Sequence, residues 1–414
     1  MHIDFLSAFA RIGFYSFGGP AAQIALMHRV LVEERKWLCE QQFLNALSFC
    51  MLLPGPEAMQ LATYAGWRLN GVRGGLIAGL LFIIPGAIIM AGLATIYALY
   101  GSVPLVAAIF LGVQATVVAI VMEALLKISR KALKRPRHWI LAAISFIAIF
   151  MLQLPFPFII ALAAVWGFAA PIIAETSAPE PIERPKTLRT LAIWLVVWIA
   201  PIAVVAAISA ELLTEIALFF SQLAVVTFGG AYAVLAYMTQ TVVSDLGWVT
   251  TEQMMDGLGL AETTPGPLIL VTQFIGFLAG FAEGGLSLAF VAALVTLWVT
   301  FAPCFLWIFV GAPYVERIIR MPRLSGALAA ITAAVVGVIL NLSIWFSAHV
   351  FFGSVGELQW GLIAVIQPLL ATFDPIAASI ALTAIYLLLF LKQGIGRTLA
   401  FGAIAGMLAG QLLT

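Results

Sequence analysis

The sequence predicts an all-α polytopic membrane protein of two homologous halves, read as inverted-topology repeats with broken helices. Three observations carry that reading. The chain is 63% hydrophobic and only 9% charged, where a soluble domain carries about 25% charged residues. No Asp, Glu, Lys, Arg or His occurs between Arg73 and Glu123, between His138 and Glu175, or between Arg189 and Glu211, and each gap holds the roughly 20 apolar residues that one crossing needs. The tripeptide Pro-Gly-Pro stands inside apolar segments at 54–56 and again at 265–267, a constant offset of 211.

Taken in order, an apolar segment over residues 5–30 is interrupted at Phe17-Gly18-Gly19-Pro20, and a mixed-charge turn follows with Trp37 as an interfacial anchor. The next segment is predicted as two half-helices, 42–53 and 57–67, because two prolines and a glycine cannot continue a helix. Spans follow at 75–100 and 104–126, then a basic loop, KISRKALKRPRHW, which reads as a cytoplasmic topology determinant. Two short spans, 139–153 and 155–173, turn at Pro155-Phe156-Pro157. The proline- and charge-rich stretch 174–189 marks the boundary between halves, and 190–211 is a linking span. The second half offers segments 213–240 and 253–282, then spans at 286–312, 324–345, 358–373, 376–391 and 395–413. The expected divisions are a first transporter repeat (1–173), a linker with its helix (174–211) and a second repeat (212–414).

Residues 17–56 align on 228–267 without a gap and with 13 identities in 40 positions. Shared apolar composition would supply some of these, but not two glycine pairs, a tryptophan and a Pro-Gly-Pro in one register. Internal repeats with matching broken segments are the signature of secondary transporters, with the site at the repeat interface. Equivalent loops carry opposite charge bias: six Lys or Arg in 127–138 against none in 341–357, and none in 101–103 against three in 313–323. That is what inversion predicts, but the split also depends on whether each Pro-Gly-Pro segment crosses or re-enters, so loop charge leaves the parity open.

Net charge is +1 and no sustained basic face exists outside one loop, so nucleic acid is not a partner. Three scattered cysteines and four scattered histidines form no metal cluster, and no cofactor is called for. The chain lacks HExxH, GxSxG and paired aspartates on a span, which argues against an intramembrane enzyme. A homodimer is compatible with the sequence.

The stretch FYSFGGPAAQIALMHRVLVEERKWLCEQQFLNALSFCMLLPGPEAMQLATYAGWRLNGVRGG, with VVTFGGAYAVLAYMTQTVVSDLGWVTTEQMMDGLGLAETTPGP in the second half, resembles the chromate ion transporter family in its long-chain, two-domain form. The resemblance covers essentially the whole chain. It implies a multi-pass carrier of the bacterial inner membrane that exports chromate and confers resistance to it, with antiparallel halves joined by a linking span. Sulfate, a close mimic of chromate, is the competitor that the resemblance implies.

The predicted substrate cradle comprises Gly18, Gly19, Pro20, Gln23, Pro54, Gly55, Pro56, Gln60, Gly229, Gly230, Thr264, Pro265, Gly266 and Pro267. The glycines let backbone approach a ligand closely, and the half-helix N-termini after each break present N–H groups that favour an anion. Close helix packing through small residues is the competing account of the glycine pairs, a structural kink that of the Pro-Gly-Pro, and an interhelical hydrogen bond that of each glutamine. Glu57 and Glu262 are candidates for proton coupling, since an ionised carboxylate beside the site would repel a dianion; a helix cap is the plainer role for Glu57. They are not equivalent in the repeat, where Leu268 matches Glu57 and Met51 matches Glu262. Arg11, inside the first apolar segment, either faces the oxyanion or snorkels to the interface.

Overall fold

The computed structural model describes residues 3–17, 19–101, 103–169, 187–228, 231–319, 321–360 and 363–413. The first half runs α1 (Ile3–Tyr15), α2 (Gly19–His28), α3 (Glu40–Cys50), α4 (Glu57–Tyr100), α5 (Pro104–Ala132), α6 (Pro136–Phe150) and α7 (Phe156–Ala169). The linking helix is α8 (Thr187–Ala207). The second half runs α9 (Glu211–Val226), α10 (Ala231–Thr239), α11 (Thr251–Thr263), α12 (Val271–Gly311), α13 (Val315–Ile319) and α14 (Pro322–Phe351). A β-hairpin follows, β1 (Val355–Trp360) with β2 (Ile363–Pro368), then α15 (Pro375–Ile385) and α16 (Ile395–Leu413). Among the described residues five helical stretches are long and apolar enough to cross a membrane: 57–100, 104–132, 187–207, 268–314 and 322–351. Among the described residues the protein is an all-α polytopic membrane protein apart from that hairpin.

Corresponding stretches of the two halves share local geometry. α2 and α10 each continue into a π-helical turn, Arg29–Glu34 and Gln240–Asp245, again at offset 211. Each turn closes with the same bonds: Trp37 N–H to the Leu31 carbonyl and Trp248 N–H to that of Val242, both at 2.9 Å. α4 is two helices meeting at Asn70 and Gly71, and α12 is two helices meeting at Gly284 and Gly285. Gly71 (φ 62°) and Gly285 (φ 66°) adopt the same left-handed turn, which glycine enters without a Cβ penalty. Their offset is 214, because the second half inserts a three-residue turn, Leu268–Leu270, after its Pro-Gly-Pro.

The chain folds as two compact units that interleave the halves. One comprises Met1–Thr95, Pro171–Ala231 and Thr264–Ser325; the other comprises Ile96–Ala170, Tyr232–Thr263 and Gly326–Thr414. In the first, α12 packs against α8 and α9. α8 is otherwise turned outward, with Leu188, Val196 and Val204 exposed, as a lipid-facing helix requires. In the second, α5 packs against α11, α15 and α16. Its crossing with α16 uses the small-residue pattern Gly402, Gly406 and Gly410, and a Cβ on Gly112 would collide with the Gly402 carbonyl oxygen.

One expectation changes, and one left open is narrowed. The segment expected to span at 358–373 is instead the β-hairpin, paired from Val355 with Pro368 to Trp360 with Ile363. The run carries Glu357 and Gln359 at alternate positions, Gly361 within it, and Gln367 and Pro368 at its end, which interrupts a helical span. Residues 42–67 do not run straight through their break. The rings of Phe49 and Tyr64 lie 6.1 Å apart, whereas the same residues in one straight helix would be separated by about 22 Å at 1.5 Å per residue. The two half-helices therefore fold back on each other. Residues 174–186 of the expected linker lie outside the described residues.

Candidate functional site

The first compact unit contains both Pro-Gly-Pro breaks, and each is held by the opposite half. Gly55 donates its N–H to the carbonyl of Thr227 at 2.8 Å, and Gly266 donates to the carbonyl of Ser16 at 2.9 Å. Ser16 and Thr227 are themselves 211 residues apart, as Gly55 and Gly266 are, so the two bonds are reciprocal. Reciprocal contacts of this kind define a local two-fold relation. Each acceptor ends its helix in the same way, the Ser16 hydroxyl donating to Ile12 and the Thr227 hydroxyl to Leu223, both at 2.5 Å.

This arrangement redefines what the tripeptides can do. Proline has no N–H, so the glycine supplies the one amide donor of each Pro-Gly-Pro, and both donors are engaged in the cross-links. Each tripeptide is accordingly a scaffold that bends the chain, at φ 118° for Gly55 and 91° for Gly266. Donors for an anion must come from side chains around the breaks or from the first turns of the helices that follow.

Two buried glutamines close the breaks. Gln23 Nε2 donates to the Gly266 carbonyl at 2.6 Å and to that of Ser16 at 3.2 Å. Gln60 Nε2 donates to the Pro54 carbonyl at 2.7 Å, while its Oε1 is buried without a partner. Gln273, one turn into α12, donates to the Ala87 carbonyl at 3.0 Å. The walls of the two breaks differ. At the second, a Cβ on Gly86 would stand 2.1 Å from the Pro265 oxygen, so backbone meets backbone. At the first, the space beside Gly55 is bounded by Cys304 Sγ and Gln60 Nε2, 2.8 and 2.9 Å from where a Cβ would be.

The structure thus brings Gln23, Pro54, Gly55, Gln60, Pro265 and Gly266 into one bonded framework. Gly19 (φ 79°) and Pro20 open α2, and Pro56, Thr264 and Pro267 flank the two breaks. Gly18, Gly229 and Gly230 lie outside the described residues. Glu57 is half-buried at the first position of α4. Arg11 forms a two-pronged ion pair with Glu34, at 2.7 and 3.3 Å, on a half-exposed surface.

Glu262 belongs to the second compact unit, near the end of α11. Its Oε1 accepts from the Tyr232 hydroxyl, its Oε2 is buried and unpartnered, and the Glu123–Lys127 pair of α5 (2.7 Å) lies within electrostatic range. Two turns earlier on α11, Asp256 was not foreseen. It is buried, and its oxygens accept from the Tyr97 hydroxyl at 2.7 Å and Gln114 Nε2 at 2.8 Å. An acid inside an apolar segment, aligned with Asn45 of the first half, was the available signal. Cys304, whose Sγ lies beside Gly55, was missed because it lies far from either motif in sequence.

A family model described as "Chromate transporter" matches residues 3–168 and 214–410. The chain belongs to the chromate transporter family. It is therefore a membrane transporter rather than an enzyme, and the double match agrees with the two homologous halves. A probable chromate transport protein of Synechococcus elongatus is 31% identical over 80% of this chain and 81% of its own length. Chromate transport proteins of Pseudomonas aeruginosa and Cupriavidus metallidurans are 32% and 29% identical, each over 80% of this chain and over 77% and 79% of their own lengths. No solved structure matches the chain.

Proposed function

We propose that this chain exports chromate across the inner membrane of a bacterium, by alternating access between two inverted repeats that arose by duplication. The observation that carries the transport reading is the reciprocal pair of cross-links, Gly55 to Thr227 and Gly266 to Ser16. Broken helices interlocked across a local two-fold are the expected setting of a carrier's central site. The chromate transport proteins of Pseudomonas and Cupriavidus, similar over most of their length, support the substrate. The repeated bonds at offset 211 support the duplication.

The cradle lies around Gly19, Pro20, Gln23, Pro54–Pro56, Gln60 and Thr264–Pro267, shaped by the two tripeptides and completed by Gly18, Gly229 and Gly230 as their sequence motif implies. Chromate near neutral pH is mainly a dianion, and an inside-negative potential favours its exit by about 2.3 kcal/mol per charge per 100 mV. Glu57 and Glu262 supply proton coupling in this scheme. Arg11, compensated by Glu34, guides the anion at the rim.

The test is chromate uptake into inverted vesicles, with the potential collapsed by valinomycin and potassium. Uptake should fall sharply on collapse and in a Gly55→Val variant. Uptake indifferent to the potential would remove the potential-driven version. A sulfate carrier on the same scaffold is the second reading, because sulfate has the same shape and charge and the cradle of glycine, proline and amide groups offers little to separate the two. Sulfate uptake that exceeds chromate uptake in the same vesicles would decide for it.

A further inference from the structure

We infer that Thr300 and Trp307 of α12 supply the uncharged donors of a subsite for a tetrahedral oxyanion at the first Pro-Gly-Pro, walled by Cys304 and Gln60. This deepens the transport reading and rests on it.

The first argument is register. Downstream of the breaks the halves correspond at offset 214: Gly66 packs on Gly74 and Ala78, and Gly280 packs on Leu288 and Ala292. At that offset Thr300 occupies the place of Gly86. Gly86 is in backbone contact with the second break, where a Cβ would lie 2.1 Å from the Pro265 oxygen. A threonine at the equivalent place cannot sit so close. The wall facing the first break must therefore stand off, and it carries a hydroxyl where its counterpart carries nothing.

The second argument is unmet hydrogen bonding. Other buried threonines of the described helices donate to a carbonyl three or four residues back, as Thr63 does to Met59, Thr116 to Gly112, Thr239 to Leu235, Thr296 to Ala292 and Thr272 to Ile269. Thr300 is equally buried, yet its hydroxyl has no partner. Gln60, also fully buried, leaves its Oε1 unpartnered beside the same break. Trp307 Nε1 is buried and unpartnered too. Buried polar groups in native proteins are nearly all satisfied, and exceptions point to a ligand or water.

The third argument is periodicity. Residues 300, 304 and 307 recur at i, i+4 and i+7 and so share one face of α12. Cys304 fixes where that face looks, because its Sγ lies against Gly55. The face offers an unpartnered O–H and an unpartnered N–H over about 10 Å of helix at 1.5 Å per residue, and between them the Cys304 thiol donates to the Thr300 carbonyl at 3.4 Å. Gln60 Nε2 is engaged by the Pro54 carbonyl and the Cys304 sulfur, while the unpartnered Gln60 Oε1 can accept from a protonated oxyanion or a bound water. Neutral donors hold a dianion without the strong ion pairing that would slow its release. Selection at such a site falls on oxygen geometry, so chromate, sulfate and molybdate belong to one ligand class.

The test uses the full chain in proteoliposomes. Thr300→Val removes one donor with little change in volume, Trp307→Phe removes the other together with part of the ring, and each should raise KM for chromate about tenfold or more. Thr300→Ser, which keeps the hydroxyl, should restore it. In parallel, Cys39→Ala/Cys50→Ala leaves Cys304 as the sole thiol, and sulfate or molybdate should slow its reaction with a membrane-permeant maleimide. Wild-type KM in both donor variants with no protection of Cys304 overturns the subsite while leaving transport intact, and assigns the unmet groups to water. Protection of Cys304 in a chain that carries no oxyanion upholds the subsite and removes the transport reading. If Thr300→Val fails to fold, the protection assay still decides.

Discussion

The α-carbon of Gly86 abuts the carbonyl oxygen of Pro265 so closely that a Cβ there would stand 2.1 Å from it and 2.6 Å from Leu270 Cδ1. The contact joins a helix of the first half to the break of the second. Gly86→Ala must separate them, and overpacking of this kind costs roughly 1–3 kcal/mol. The variant should show a lowered unfolding temperature in detergent, with transport reduced more than folded yield, since the displaced element is the break itself. Unchanged stability would mean that the helix and the break are not in contact.

Gln23 bridges the carbonyls of Gly266 and Ser16. Gln23→Leu keeps the volume and removes both bonds, leaving the Gly266 oxygen buried and without this donor. The expected destabilisation is about 1–3 kcal/mol. Gln23→Glu should be worse, because it sets a carboxylate against two carbonyl oxygens. Thermal unfolding of the purified variants, read beside chromate uptake, checks the order wild type, Gln23→Leu, Gln23→Glu.

The broken helices, the two halves and their register were legible because proline and glycine act locally. A Pro-Gly-Pro interrupts a helix wherever it stands, and its recurrence at one offset aligns the halves. What the tripeptides touch was not legible. The bonds from Gly55 to Thr227 and from Gly266 to Ser16 join residues more than 170 positions apart, and nothing in either stretch names its partner. For the same reason the sequence did not reveal that the two glycine amides are engaged in cross-links. The hairpin at 355–368 escaped because a short apolar run with turn residues reads equally well as a short helix. Arg11 was visible as an intramembrane cation, but Glu34, its partner across a helix and a turn, was not.

The Arg11–Glu34 pair is half-exposed, and such pairs contribute at most about 1 kcal/mol. Arg11→Gln should therefore leave stability nearly unchanged. If the guanidinium guides the anion, the variant should raise KM at low ionic strength and converge with wild type as salt screens the charge. The exchange Arg11→Glu with Glu34→Arg should recover folding without recovering the low-salt KM. Uptake measured across a salt series separates the two effects.

Glu262→Gln keeps an acceptor for the Tyr232 hydroxyl and gives the unpartnered position an N–H. If Glu262 is the coupling carboxyl, the variant behaves as permanently protonated: potential-driven chromate flux persists, while its response to an imposed pH gradient is lost. Glu57→Gln, at the opening turn of α4, should instead cost a few tenths of a kcal/mol to 1 kcal/mol of helix-end stabilisation and keep the pH response if Glu57 only caps the helix. Flux measured with the pH gradient and the potential imposed separately assigns coupling to one carboxyl, both or neither.

Asp256 is held by two donors from different helices, the Tyr97 hydroxyl at the end of α4 and the Gln114 amide on α5. A buried carboxylate is tolerated only when its oxygens are satisfied, so removing either donor weakens the remaining arrangement as well. Tyr97→Phe should destabilise by about 1.5–3 kcal/mol, the range for a hydrogen bond to a charged group. Asp256→Asn keeps one acceptor but turns an N–H toward one of the two donors, and should cost a similar amount. The double variant, Tyr97→Phe with Asp256→Leu, pairs apolar with apolar at that contact and should fall well short of the sum of the single effects, although Gln114 stays unpaired. A double-mutant cycle on thermal unfolding measures this coupling directly. Additive losses would show that Asp256 and Tyr97 do not share a bond. Non-additive losses with transport retained would mark the cluster as a staple between α11, α4 and α5. Non-additive losses with transport abolished in Asp256→Asn alone would make Asp256 a working part of the carrier.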